Sequence, residues 1–280
     1  MIARENLEER SYVAPDFIYR KFLGMTSEGY FLVQDFYEEG DIKRTDPFVI
    51  MQRDGAQELI KLTSSVPIDG ALIMWHKNGQ KWIEMHYKDG KEQGSYIAWH
   101  DNGRKLLQTQ FKDGKQYGTR ITWYGDGVKA SQSQFKNGVQ YGTWTTWDFD
   151  GIKASQCHFK DGVQYGAWTK WYDNGEKSSE GYFEDGKMNG PWTEWHKNGR
   201  KSVEGSYRNG KKHGDWTEWY ENGQKKSKEQ FQNGRAHGLW TWWHINGAKA
   251  EEGEYWHGDK HGLWSEWESS SSTAYKETQY

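Results

Sequence analysis

The sequence predicts an all-β protein: an elongated single-layer antiparallel β-meander of 24-residue β-hairpin repeats. Three observations predict it. Glycine recurs on a 24-residue step at 70, 94, 118, 142, 166, 190, 214, 238 and 262, and two further glycine columns, from 79 to 247 and from 90 to 258, keep the same step. Nearly every repeat carries two Asn-Gly or Asp-Gly pairs, such as Asn198-Gly199 and Asn209-Gly210, the strongest short-range hairpin signal. The aromatic residues hold the same phase, with Trp at 75, 99, 123, 147, 171, 195, 219, 243 and 267 and Tyr or Phe at 87, 111, 135, 159, 183, 207, 231 and 255.

Gly190 to His213 is a representative repeat. Two-residue turns leave one strand of nine residues, Arg200 to Arg208, and one of eleven, Lys211 to Glu221. Turns this short join only antiparallel neighbours. With type I′ geometry, positive φ at both central residues, the register sets Trp195 opposite Ser202, Trp192 opposite Gly205 and Gly190 opposite Tyr207. Large side chains then face small ones, and a bare glycine lets a ring lie down on the sheet. An outer Trp column is filled at 144, 168, 192, 216, 240 and 264. Trp192 and Trp195 are three apart, so alternation puts them on opposite faces unless a bulge intervenes. A helix is excluded because Gly or Asn-Gly interrupts every window of about eleven residues.

Taken in order, residues 1–69 read as an N-terminal cap with one degenerate repeat. Ile2 to Glu9 suits a short helical turn, and Phe17 to Leu23 and Tyr30 to Tyr37 suit strands. Met51 and Asp54-Gly55 lie one step before Trp75 and Asn78-Gly79. Residues 70–261 hold eight full repeats, and residues 262–280 form a C-terminal half-repeat and tail. Thr273 to Tyr280 suits a last edge strand, with Lys276 and Glu277 as charges fitting an exposed edge. Such edges leave a homodimer through edge strands open as one arrangement.

Only 34% of the 280 residues are hydrophobic, and the mean hydropathy is −1.11. Aliphatic residues are scarce in the repeats, so the 18 Trp, 17 Tyr and 11 Phe must supply the burial. Ring stacking between successive repeats contributes about 0.5–1.5 kcal/mol per pair beyond area. A net charge of −3 gives no reason to expect a nucleic-acid partner. Met1 to Arg10 lacks an apolar run of signal-peptide length and no stretch suits a membrane span, which points to the cytoplasm.

The residues suggest no enzyme, no cofactor and no metal. No acid pair, Ser/His/Asp set or phosphate loop stands out. His213, His237 and His261 sit in one column, two strands or roughly 9.5 Å apart, whereas zinc ligands lie about 2.0–2.1 Å from the ion. Cys157, the only cysteine, falls in a column otherwise holding Thr109, Ser133 and Gly181 and reads as a small packing residue. The lysine column Lys81, Lys105, Lys129, Lys153, Lys177, Lys201, Lys225 and Lys249 reads as stems covering rings rather than as a basic stripe.

Gly-x-Trp-x-x-Trp-[His/Tyr]-x-Asn-Gly-x-Lys, followed by aromatic-x-[Asp/Asn]-Gly and His-Gly, resembles the variant MORN repeat typical of the bacterial YwqK family. Gly190 to Gly214 and Gly214 to Gly238 carry the resemblance best. It implies a twisted array of β-hairpins and a non-catalytic, protein-binding scaffold, antitoxin-like or organising a complex. MORN proteins also imply dimerisation or membrane-surface association, and aromatic-rich repeats of this composition also suit a carbohydrate or cell-wall binder. Tyr117, Tyr141 and Tyr165 depart from the His-Gly step that His213, His237 and His261 keep. This column changes in blocks while the scaffold columns beside it do not, and the turn register places it on the face of the inner Trp column. Tyr117, Tyr141, Tyr165, His213, His237 and His261 are therefore the candidate partner-binding row.

Overall fold

The computed structural model describes residues 18–28, 30–37, 39–50, 69–269 and 276–280. The expectations for Ile2 to Glu9, Phe17, Met51, Asp54-Gly55 and Thr273 fall outside these residues. Contacts divide the chain into two compact bodies, Met1–Val139 and Gln140–Tyr280. In both, consecutive strands pair antiparallel in an open sheet of hairpins.

In the first body, strands Ile18–Met25, Phe31–Tyr37 and Phe48–Ile50 form a small antiparallel sheet. Val33 and Phe48 bury against Leu72 and Tyr87 of the first repeat. Residues 44–46 run along the edge of strand Gly70–Trp75: the Trp75 amide donates to the Arg44 carbonyl at 2.7 Å and the Asp46 amide to the Ile73 carbonyl at 2.9 Å. The edge that would template another chain is thus covered. Arg20, itself buried, donates from Nε to Asp35 at 2.5 Å, neutralising the carboxylate inside this sheet.

The two turns of a repeat differ, which corrects the sequence expectation. Asn209 and Gly210 have φ of 52° and 79°, a type I′ pair. At the other turn only Gly199 is positive, at 80°. There the Gly199 amide donates to the His196 carbonyl at 2.9 Å and the His196 amide to the Arg200 carbonyl at 2.8 Å. This is a type I turn closed by a left-handed glycine, not a two-residue loop. The longer loop shortens the strands to eight and nine residues, Lys201–Arg208 and Lys187–Trp195. Trp192 faces Gly205 and Gly190 faces Tyr207 as the register demands, but Trp195 pairs with Lys201, because the register slips by one after Glu194–Val203. The extra residue, Ser202, is on the partner strand. Trp192 to Trp195 therefore stay in step, and the two Trp columns lie on opposite faces.

The outer Trp column builds the core of the second body. Trp168 and Trp192 stack with centroids 5.1 Å apart, and Trp192, Tyr207, Trp216, Phe231, Trp240, Tyr255 and Trp264 continue ring against ring to Tyr280. The glycine eleven residues before each indole decides its depth. Trp192, Trp216 and Trp264 lie on Gly181, Gly205 and Gly253 and are buried. Cys157 and Glu229 take that place before Trp168 and Trp240, which are only half-buried.

Within the bodies, three side-chain ladders run from repeat to repeat. Lysine ammonium groups sit over the following repeat's inner Trp, as Lys81 over Trp99 at 5.2 Å and Lys153 over Trp171 at 5.0 Å, each worth about 0.5–1 kcal/mol at exposed sites. In six repeats the residue after the inner Trp bonds the next inner Trp carbonyl: His76 to Trp99, His100 to Trp123, Tyr172 to Trp195, His196 to Trp219, Tyr220 to Trp243 and His244 to Trp267. Loop asparagines donate to the next loop's carbonyls, as Asn198 to Glu221 at 2.9 Å and Asn222 to Ile245 at 2.9 Å.

Candidate partner-binding surface

The predicted row divides into two kinds of site. Tyr117, Tyr141 and Tyr165 are 47%, 40% and 43% exposed. His213 and His237 are half-buried, with Nδ1 of each buried and unpartnered, while His261 is exposed. The difference follows from what the scaffold asks of this column. Where it holds a short polar side chain, that side chain caps the type I′ turn twenty residues ahead. Asp69 accepts from the Asp89 amide at 2.7 Å, Gln93 from the Asp113 amide at 2.8 Å, and Asn189 from the Asn209 amide at 3.2 Å. A tyrosine carries no acceptor at that reach. Tyr117, Tyr141 and Tyr165 forgo the cap and put their rings in water. The exchange gives up a net hydrogen bond of about 0.5–1.5 kcal/mol.

Tyr117 and Tyr165 ride on bulged strands. Between Gln156–Thr169 and His158–Tyr165 the strand Val163–Trp171 gains two residues around Gly166, whose φ is 73°. The His158 ring lies 6.4 Å from the Tyr165 ring, and its Nδ1 is 3.2 Å from the Ala167 carbonyl. Tyr182 is exposed on the next strand. Further along the second body, the His237 ring lies tilted by 43° against Trp256 with centroids 5.0 Å apart, and Trp256 meets His257 edge-on at 4.8 Å.

Cys157 is buried, and burial pushes its thiol up, away from the thiolate a nucleophile needs. No group of three or more His, Cys, Asp or Glu able to hold a metal occurs among the described residues. No helix among them is long and apolar enough to cross a membrane.

The geometry of these repeats now meets a known pattern. Residues 68–89 and 212–233 match the model of the MORN repeat variant. No curated protein matches the chain. The two MORN-variant segments bracket the tyrosine row in sequence and hold Asp69 and His213 in its column; Asp69 caps its turn, whereas Nδ1 of His213 is unpartnered. The residues on either side of the tyrosines in this column, Gln93 and Asn189, keep the turn cap that the tyrosines lack.

Glu229 is a second departure, and one that sequence reasoning missed. It stands where neighbouring repeats have glycine and is 9% exposed. Burial pushes its carboxyl pKa up; Glu218 adds in the same direction, while Lys212 and Lys226 oppose. A raised folded pKa means that the folded chain holds the proton more tightly than the unfolded one. The contribution is therefore favourable below about pH 4.5, the ordinary value, and is lost as pH rises through the folded value. Glu229→Gln is expected to unfold at higher denaturant than the parent at pH 7, with the difference shrinking at pH 4. A variant less stable than the parent at pH 7 would show that the carboxylate is well paired.

Proposed function

We propose that the chain is a non-catalytic, protein-binding scaffold of MORN-like repeats, antitoxin-like in neutralising a protein partner or organising one within a complex, and that Tyr117, Tyr141 and Tyr165 are its contact residues. One observation carries this reading: the tyrosines replace a side chain that caps a turn and expose their rings instead. A residue that breaks the local rule of its own scaffold without a packing gain marks a site kept for another purpose. Tyrosine suits such a site, because it presents a large, rigid contact area with few rotors and a hydroxyl for orientation. Sheet-borne rings are also held in place before the partner arrives.

The half-buried His213 and His237 belong to the scaffold end of the row, and His261 to its exposed end. Replacing Tyr117, Tyr141 and Tyr165 together by Ser is expected to leave the circular dichroism spectrum unchanged. The same variant should bind the partner recovered from the native host more weakly by more than about 2 kcal/mol, the loss typical of interface hot spots. Calorimetry with the purified partner measures it. Unchanged affinity would remove the row from the binding surface, and an unfolded variant would return it to the scaffold.

A further inference from the structure

We infer that the loop 148–152 is a built-in release point, where, among the described residues of the second body, the loop edge of the sheet lacks the two hydrogen bonds that tie the following loops forward. Along that edge two ladders repeat without change on its C-terminal side. The residue after the inner Trp donates to the next Trp carbonyl, Tyr172 to Trp195 at 2.6 Å, His196 to Trp219 at 2.9 Å and Tyr220 to Trp243 at 2.8 Å. Two residues on, asparagine donates to the following loop, Asn174 to Lys197, Asn198 to Glu221 and Asn222 to Ile245.

Both donors are aspartates in the loop 148–152. An ionised carboxylate accepts hydrogen bonds and has none to donate. Asp148 has no proton for the Trp171 carbonyl, and Asp150 has none for the carbonyl of Asp173. Asp148 instead folds back on its own loop, accepting from the Asp150 amide at 3.1 Å and the Ile152 amide at 2.9 Å. That second bond is the one asparagine makes elsewhere, as Asn174 accepts from the Glu176 amide. The loop has thus kept its internal order and dropped its outward bonds. The Lys153 ammonium still lies 5.0 Å from the Trp171 ring, whereas the next loop adds an ion pair, Lys197 to Asp173 at 3.0 Å. Phe149, 69% exposed, occupies the tip.

The main-chain bonds that close the loops are alike. The Asp148 amide reaches the Ile152 carbonyl at 2.9 Å, and the Tyr172 amide reaches the Glu176 carbonyl at 2.8 Å. Any difference in opening between the two loops therefore reports the missing ties, not the loops themselves. Opening here moves a loop and spares the hairpin it closes, whose strands stay paired from Gly142–Phe159 to Trp147–Lys153. The inference stands apart from the tyrosine row and from the identity of any partner.

Hydrogen exchange of the full chain, read by mass spectrometry over the peptides spanning residues 148–152, 172–176 and 196–200, tests it. The amides of Asp148 and Gly151 are expected to exchange about tenfold faster than those of Tyr172 and Gly175, the ratio two net hydrogen bonds provide. Asp148→Tyr with Asp150→Asn supplies both donors and should slow the first loop to the rate of the second. Tyr172→Phe with Asn174→Ala removes both and should bring the second loop to the rate of the first. Equal protection in the parent, or a restored variant that exchanges no more slowly, would overturn the inference.

Discussion

Gly205→Ala is expected to destabilise the protein by about 3 kcal/mol, the upper end of what overpacking a filled core costs. A Cβ at Gly205 would lie 2.2 Å from Cδ2, 2.4 Å from Cε2 and 2.6 Å from Cε3 of Trp216. The backbone there is not left-handed, so the cost comes from the ring and not from φ. The ring has nowhere to go. Its Nε1 donates to the Ser206 carbonyl at 3.2 Å, Tyr207 meets it edge-on at 5.0 Å, and the Lys212 ammonium lies 4.2 Å from its centroid. Moving the indole outward would break all three contacts and expose the most deeply buried large side chain of the second body. Urea denaturation of parent and variant measures the loss. Adding Trp216→Ala to Gly205→Ala should recover part of the clash, so the double variant loses less than the sum of the singles. A parent-like midpoint for Gly205→Ala would mean that no ring lies on that glycine.

This glycine also shows how far the fold was legible in sequence. The pairing of Trp192 with Gly205 followed from turn spacing alone and holds in the structure. Which glycine each ring covers did not follow: Trp192 faces Gly205 across one ladder but lies on Gly181 across the other. A central strand has two neighbours, and the hairpin signal speaks only for the one within the hairpin. The turn types were half legible for a related reason. Asn-Gly stands at both turns, yet only Asn209 takes positive φ, because the loop at Asn198 closes through the His196 amide and adds a residue. The dipeptide is the same; the flanking hydrogen bonds differ.

The candidate surface was legible as a column but not as a set of roles. Block changes from Tyr to His marked the position, and periodicity could go no further. The capping bonds from Asp69, Gln93 and Asn189 supply the reason: those residues, read alone, look like neutral drift. The loop-edge ladder was readable and missed. His or Tyr follows the inner Trp at 76, 100, 124, 172, 196, 220 and 244, and the two share one property, a ring-borne donor at similar reach. Asp148 breaks that pattern visibly. The lysine column, read as ring cover, matches the contacts of Lys81, Lys105, Lys153, Lys177 and Lys249 with inner Trp rings.

Trp216→Ala and Trp144→Ala should separate, although both residues occupy the same column. Trp216 is 2% exposed and Trp144 is 37% exposed. Truncating a fully buried Trp costs about 3–5 kcal/mol, through lost transfer energy and the cavity left behind. An indole more than a third in water has less to lose, and solvent fills the gap, so about 1 kcal/mol is expected for Trp144. The neighbours widen the difference. Trp216 stands between Tyr207 and Phe231 and under the Lys212 ammonium, so its removal unsupports rings of the repeats on both sides. Within the second body Trp144 touches Phe159, at 5.8 Å. In an array where each repeat is stabilised through its interfaces, the first loss spreads and the second stays local. Urea midpoints of the two variants, with slopes compared for loss of cooperativity, decide it. Equal destabilisation would mean that the column acts as a uniform spine and that the glycine under each ring does not set its depth.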